Sequence, residues 1–381
     1  MRCLRRSLFL ALALVLLAPV PILAEIGSLE PTPAATLLLP YFEVDLAGPT
    51  VTTLFAVTNA RAAPALAKVT LWTDLGVPTY DFHIYLTGYD VATFNVADLF
   101  LRGTVPGGGG TPPGSCAGAI PVPALDSTAR ADLQAQHTGR GSSQFGGLCA
   151  AVDHGDAIAR GFLTVDMMNN CTSNLHAGPG FFIGGGGGDA SNANQLLGDY
   201  FYVDQRDGKA EGSPMVHLEA DDSLRASNYT FYRRFTAGED QREGLPSQFA
   251  LRYLNGGALD AASDVQVWRD SKRTMAPFAC GTLPRPYPLD SQITAFDEQE
   301  TSVCFCGHPF PYAAQRVTVG SIALPVPFDF GWLLLNFDTP VTGSQVPFEP
   351  LAQAWASVVM RAAGRFSVGM DAFQLNNLTN P

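Results

Sequence analysis

Cys304-Phe305-Cys306-Gly307-His308 is the densest run of metal-ligating and redox-active side chains in this 381-residue sequence. Thiolates and imidazole are zinc ligands, and Cys280 upstream would complete a four-ligand set. Paired cysteines in structural zinc sites are usually separated by about two to four residues, whereas here only Phe305 intervenes. Disulfides are therefore expected of Cys116, Cys149, Cys171, Cys280, Cys304 and Cys306, the six that remain once Cys3 leaves with the leader described below. Six cysteines allow about fifteen connectivities. Cys116 and Cys149 flank a glycine-rich insertion, and closing it would contribute about 3.5–4 kcal/mol by the loop-entropy account. Cys280 is expected to join Cys304 or Cys306, leaving Cys171 with the remaining partner.

The acidic residues offer a second chemistry. Asp199, Asp204, Asp207 and Glu211, with Gly208 in a turn, are oxygen ligands of the kind calcium takes, although their spacing is not that of an EF-hand. No other cofactor is implied. Glycoside hydrolysis needs two carboxylates about 5–10 Å apart across a cleft. Glu219, Asp221, Asp222, Asp297, Glu298 and Glu300 are clustered along the chain, which is the pattern of solvated loops. No G-x-S-x-G, H-E-x-x-H or phosphate-binding G-x-x-x-x-G-K-[ST] motif occurs. Asp153-His154-Gly155-Asp156 could orient a general base or simply form a surface loop. Aromatic side chains are the remaining route to function. Trp72 alternates in phase with Thr70 and Asp74, and Trp268 with Gln266 and Asp270, so both occupy the more polar face of a strand. A ring in that setting suits stacking on a sugar or packing on a partner protein.

The N-terminus has the plan of a cleavable signal peptide. Arg2, Arg5 and Arg6 precede the apolar run Leu8–Leu17, then Pro19 and Pro21, and a cut after Ala24. That run is shorter than the roughly 20 apolar residues a membrane span needs, and no later run is long enough. The chain is expected to be exported to the periplasm, the cell surface or the medium, with no membrane insertion after cleavage. Net charge is −12 and becomes more negative when the leader takes its arginines away. Such a balance disfavours nucleic acid and anionic lipid surfaces, which call for clustered Lys and Arg.

Alternation at period two organises much of the sequence. Tyr80, Phe82, Ile84 and Leu86 share one face of a strand. Ala352 to Met360 and Phe366 to Ala372 form two more strands around a turn at Ala363-Gly364. Val317–Leu324 and Phe328–Phe337 are expected to pair, the second as a central strand. Helix is expected over residues 127–136 behind an Asp126 or Ser127 cap, and in short pieces over 95–101 and 191–197. The glycine runs Gly107–Gly110 and Gly184–Gly188 predict mobile loops. The expected fold is mainly β, an antiparallel β-sandwich of Ig-like or jelly-roll type, with long Gly/Pro-rich loops. Phe55-Ala56-Val57 before Trp72 echoes Phe249-Ala250-Leu251 before Trp268, which suggests a duplicated sandwich. Domains are then expected over 25–237, with a loop insertion at 103–160, and over 238–381, with the boundary in Gly238–Gly244.

Leu39-Pro40-Tyr41-Phe42-Glu43-Val44, Thr53-Leu54-Phe55-Ala56-Val57-Thr58-Asn59 and Leu71-Trp72-Thr73-Asp74 resemble segments of uncharacterised exported bacterial β-sandwich-like proteins. So do Arg252-Tyr253-Leu254-Asn255-Gly256-Gly257, Val267-Trp268-Arg269-Asp270 and Gln353-Ala354-Trp355. The resemblance implies a secreted sandwich and brings no activity with it. The function expected is a non-enzymatic, surface-associated or structural protein that contacts a protein or glycan through loops and sheet faces. The alternative is an exported hydrolase using carboxylates or a metal.

Overall fold

The alternating segments do form strands. The computed structural model describes residues 32–48, 50–105, 109–174, 178–206, 208–224, 229–236, 238–270, 276–284, 291–307, 310–337, 353–362 and 365–376. The expected leader and the Ala363-Gly364 turn lie outside them. Nine strands come first: β1 (Thr36–Asp45), β2 (Val51–Asn59), β3 (Ala65–Thr73), β4 (Pro78–Leu86), β5 (Val91–Asn95), β6 (Ile158–Met168), β7 (Leu196–Asp204), β8 (Lys209–Pro214) and β9 (Val216–Leu218). Nine more follow: β10 (Gln248–Leu254), β11 (Ala261–Arg269), β12 (Ser291–Phe296), β13 (Ser302–Gly307), β14 (Ala314–Thr318), β15 (Phe330–Asn336), β16 (Ala354–Ala362), β17 (Phe366–Asp371) and β18 (Phe373–Gln374). The pairings within the sheets are antiparallel, and the fold is mainly β, an antiparallel β-sandwich.

The sheet orders reveal the organisation. Sheet I runs β4-β3-β6-β1-β9 and sheet II β5-β2-β7-β8; sheet III runs β13-β12-β15-β10-β18 and sheet IV β14-β11-β16-β17. Adding nine to each strand number of sheets I and II gives sheets III and IV, so one nine-strand topology occurs twice. The match extends to single residues. Thr53 Oγ1 bridges the backbone N–H and C=O of Glu43, and Ser263 Oγ bridges those of Leu254 in the same way. Phe42 lies opposite Gly161 in sheet I, and Tyr253 opposite Gly331 in sheet III. The sequence echo between Phe55/Trp72 and Phe249/Trp268 is out of step by one strand. Phe55 and Trp72 lie on β2 and β3, whereas Phe249 and Trp268 lie on β10 and β11, which correspond to β1 and β2.

Each set encloses its own apolar core. Leu37, Leu39, Phe42, Val57, Val69 and Leu163 fill the first, and Phe249, Leu251, Val265, Val267, Leu333 and Leu335 fill the second. A third cluster, with Leu38, Tyr41, Trp72, Phe162, Phe231 and Trp268, lies between the two sets. It joins the outer face of sheet I to the outer face of sheet IV. The polar run Gly238–Gly244 connects the sets but is far from an exposed linker, because Asp240 and Arg242 are fully buried in it.

Several local expectations change. β14 belongs to sheet IV and β15 to sheet III, so Val317 and the Phe328–Phe337 run are not strand partners; β15 is nevertheless central, between β12 and β10. Helix α1 (Ser127–Gln136) forms as expected, with Asp126 Oδ1 accepting from the N–H groups of Thr128 and Ala129 at 2.9 and 2.8 Å. Residues 191–197 lead into β7 instead of forming a helix. The glycine run at 184–188 is pinned, not loose. Gly184 N–H donates to Glu239 Oε2, and Asn169 Nδ2 donates to the carbonyls of Gly186 and Gly188.

The disulfides also differ from the sequence expectation. Cys116 joins Cys171 and Cys149 joins Cys280, with Cα separations of 5.0 and 5.1 Å. Cys116 therefore does not close a loop on Cys149; each cysteine of the insertion reaches outside it. The Cys149 link crosses from the first strand set to the segment after β11, where Cys149 and Phe278 also exchange backbone hydrogen bonds at 2.9 Å. Cys304 is exposed on β13, and the side chains of Cys306 and His308 lie outside the described residues. Disulfides of this kind are those of an extracellular or exported protein.

Candidate functional site

A glycine followed by an aromatic residue and leucine builds the same feature in each strand set. Gly161 on β6 has no side chain because a Cβ there would lie 2.0 Å from the Trp72 carbonyl oxygen. A Cβ on Gly331 of β15 would lie 1.8 Å from the Phe296 carbonyl oxygen. The close approach sets the next residue against its cross-strand neighbour on the outer face. Phe162 stacks on Trp72 with ring centroids 5.6 Å apart, and Trp332 stacks on Phe296 at 4.3 Å. Offset aromatic stacks of this kind contribute about 0.5–1.5 kcal/mol beyond the area they bury.

The two copies meet different surroundings. In sheet I the pair is covered by the second strand set. Trp268 meets the Phe162 ring edge-on at 5.9 Å, and Trp72 and Trp268 are only 2% and 4% exposed. The expectation that these two tryptophans present rings to a ligand is therefore corrected. Their polar flanks did place them on outer faces, but those faces are pressed together. In sheet III no sheet among the described residues covers Trp332, which is 37% exposed. Register places Arg252, Leu334, Thr294 and Cys304 on the same outer face. Phe373 and Leu375 are also exposed, at the sheet's β18 edge. Phe296 alternates in phase with Thr294 and Glu298, as Trp72 does with Thr70 and Asp74, whereas Trp332 has no polar flank and is signalled by the recurrence of Gly-aromatic-Leu at 161–163 and 331–333.

A polar layer flanks the buried contact. Glu43, 2% exposed, accepts hydrogen bonds from Tyr41 and Tyr202 hydroxyls at 2.5 Å and pairs with Arg316 at 3.3 Å and Arg160 at 3.4 Å. Burial pushes its carboxyl up, but the Arg316 and Arg160 guanidiniums together with the two tyrosine hydroxyls outweigh burial and hold it below the usual range. Lys209 of β8 faces Asp264 of β11 at 3.6 Å. Beside them, Glu211 accepts from Gln266 Nε2 at 3.4 Å and is pushed up to about 7, chiefly by burial. Asp371 of β17, held by the Trp355 indole, rises to about 6 for the same reason.

The expected calcium ligands do not converge. Asp204 and Tyr202 share the inner face of β7 with Glu211 opposite, whereas Asp199 is exposed on the other face. Asp204 is bonded to Arg206, Glu211 faces into the interface, and Asp207 lies outside the described residues. No group of three or more His, Cys, Asp or Glu positioned for a metal occurs among the described residues. A cavity of about 390 Å³ beside α1 holds two carboxylates, but Asp126 caps the helix and Asp132 is tied to Ser142 and Ser143. His137 next to it is fully enclosed, with both ring nitrogens bonded, and burial lowers it to about 4. His154, expected in a surface loop or as an oriented base, contacts the buried Asp74 carboxylate at 3.1 Å.

No family model matches the chain, and no curated protein matches it. Among solved structures, the partial N-terminal region of an enterococcal surface protein aligns over 94% of this chain and 98% of that one, at 8% identity and a TM-score of 0.20. So low a score shows no shared fold, and the sandwich architecture rests on the sheets themselves.

Proposed function

We propose that this is an exported, non-enzymatic docking protein that contacts another protein through the outer face of sheet III. One observation carries the reading: the Phe296–Trp332 stack stands open at the position where its counterpart, Trp72–Phe162, is buried by a packed sheet. Half-exposed aromatic rings on a flat sheet face are the anchors that protein interfaces favour. A glycan is the weaker match, because each ring of the stack already spends one flat face on its neighbour. The counterpart pair, moreover, is covered by protein side chains.

The test is a photo-cross-linking amino acid placed at Thr294, on this face, in cells that export the protein. Asp153, exposed on a loop of the first strand set, serves as the control position. Adducts at Thr294 that are lost in a Trp332→Glu background support the reading. Equal labelling at both positions, or none at Thr294, overturns it.

A further inference from the structure

The duplicated topology also says what such a face can receive. Within the chain, the outer face of sheet IV docks onto two surfaces of the first strand set. One is the outer face of sheet I, through Trp268 on Phe162. The other is the inner side of edge strand β8, where Lys209 meets Asp264 and Glu211 meets Gln266. Both receiving surfaces recur in the second set. The outer face of sheet III is the first. The second is the inner side of β17, where Val368 and Met370 lie opposite the core residues Met360 and Val358 yet are 43% and 38% exposed.

The donor sheet recurs as well, in topology though not in side chains, since Thr58, Ala56 and Leu54 stand where sheet IV has Trp268, Gln266 and Asp264. Sheet II corresponds to sheet IV, and its outer face is uncovered: Phe201 is 50% exposed and Val91 54%. Asp199 is the only charged strand residue on that face among the described residues, and Arg252 is the only one on the outer face of sheet III. The two signs are opposite. One molecule thus leaves exposed the topological counterparts of both faces that meet in its internal contact.

We propose that the outer face of sheet III and the β17 overhang receive the outer face of sheet II of a second copy of this chain, head to tail. The occupant is assigned on top of the docking role proposed above and rests on it. Such a contact is heterologous, so each added copy presents a fresh acceptor and assembly is open-ended. The chain's net charge, −12 with the expected leader and more negative without it, opposes association, so added salt should strengthen it.

Sedimentation of the mature protein over a concentration series, at low and moderate salt, reads the outcome. Wild type should grow past the dimer. Trp332→Glu removes the acceptor and Phe201→Glu the donor, and each alone should remain monomeric. Mixed in equal amounts they should form a dimer and nothing larger, because one intact contact remains. Val368→Lys and Val91→Lys are the second acceptor and donor pair, with circular dichroism confirming that each variant folds. Association of Phe201→Glu equal to wild type would point to a two-fold contact and overturn the head-to-tail proposal, as would a mixture that stays monomeric. The Thr294 cross-link separates the two levels. An adduct of twice the chain mass supports the second copy, an adduct of another mass overturns it while keeping the docking role, and no adduct removes both.

Discussion

Replacing Glu211 with Gln should make the protein more stable at pH 8 and leave it nearly unchanged at pH 4. Glu211 sits on β8 beneath sheet IV, and burial raises its carboxyl from 4.5 to about 7. The folded state therefore keeps a proton that the unfolded chain releases from about pH 4.5 upward. Stability associated with this group is fully present below pH 4.5, falls as pH rises through about 7, and is flat above. A shift of this size corresponds to about 3 kcal/mol, a ceiling because the side chain keeps some access to water. The Lys209 and Arg316 charges already pull the value down, so their attraction is contained in the net shift. With an unfolding entropy typical for the chain length, 3 kcal/mol is about 4 °C in Tm. Thermal unfolding of wild type and Glu211→Gln at pH 4, 6 and 8 reads it directly. The difference should open between pH 5 and 8, with the variant the more stable. A constant difference across that range, or a less stable variant at pH 8, would refute a buried, proton-holding carboxyl at the interface.

The other expectations are simpler. Cys149→Ser with Cys280→Ser removes a crosslink that closes a long loop and ties the two strand sets, at a cost of about 5 kcal/mol by the loop-entropy model. Cys116→Ser with Cys171→Ser should cost slightly less, about 4 kcal/mol, and Tm of the two double variants compares them. Gly161→Ala and Gly331→Ala should each destabilise by about 1–3 kcal/mol or more, because each new Cβ collides with a carbonyl oxygen of the next strand; denaturant midpoints at or above wild type would contradict the shared geometry. Trp72→Ala should cost about 3–5 kcal/mol, while Trp332→Ala should cost far less, the measured contrast reporting that one stack is buried and its copy open. Millimolar calcium should leave Tm unmoved, since Asp199 and Asp204 face opposite sides of β7; a clear upward shift would show that Asp207 and its neighbours do bind it.

What the sequence showed, and what it concealed, follows from the range of the interactions involved. Period-two alternation is local, so β4, β16 and β17 were legible, as was the Asp126 cap of α1. Pairing is not local. β14 and β15 are consecutive and read as partners, yet they lie in different sheets. Cys116 and Cys149 share one insertion, yet each bonds to a residue beyond it. The sequence echo points to the wrong strands because equivalent positions keep size and role more than identity. Thr53 matches Ser263, Phe42 matches Tyr253, and Trp72 matches Phe296.

The open face was the hardest feature to read, for a reason built into two-layer packing. Which side of a strand meets water depends on what covers it, and alternation reports only that the two sides differ. Trp72 and Trp268 carry polar neighbours and so suggest exposure, but a packed sheet covers them, and the Trp72 indole is satisfied in place, its Nε1 donating to Thr164 Oγ1 at 3.2 Å. Trp332 stands in the apolar run Gly331–Leu335, which suggested core, and Leu333 and Leu335 are indeed fully buried beside it. Its own side points outward, stacked on Phe296 and 37% exposed. A strand apolar on both faces implies cover on both faces. In the first set the second strand set supplies that second cover; in the second set no sheet among the described residues does, and Trp332 stays 37% exposed.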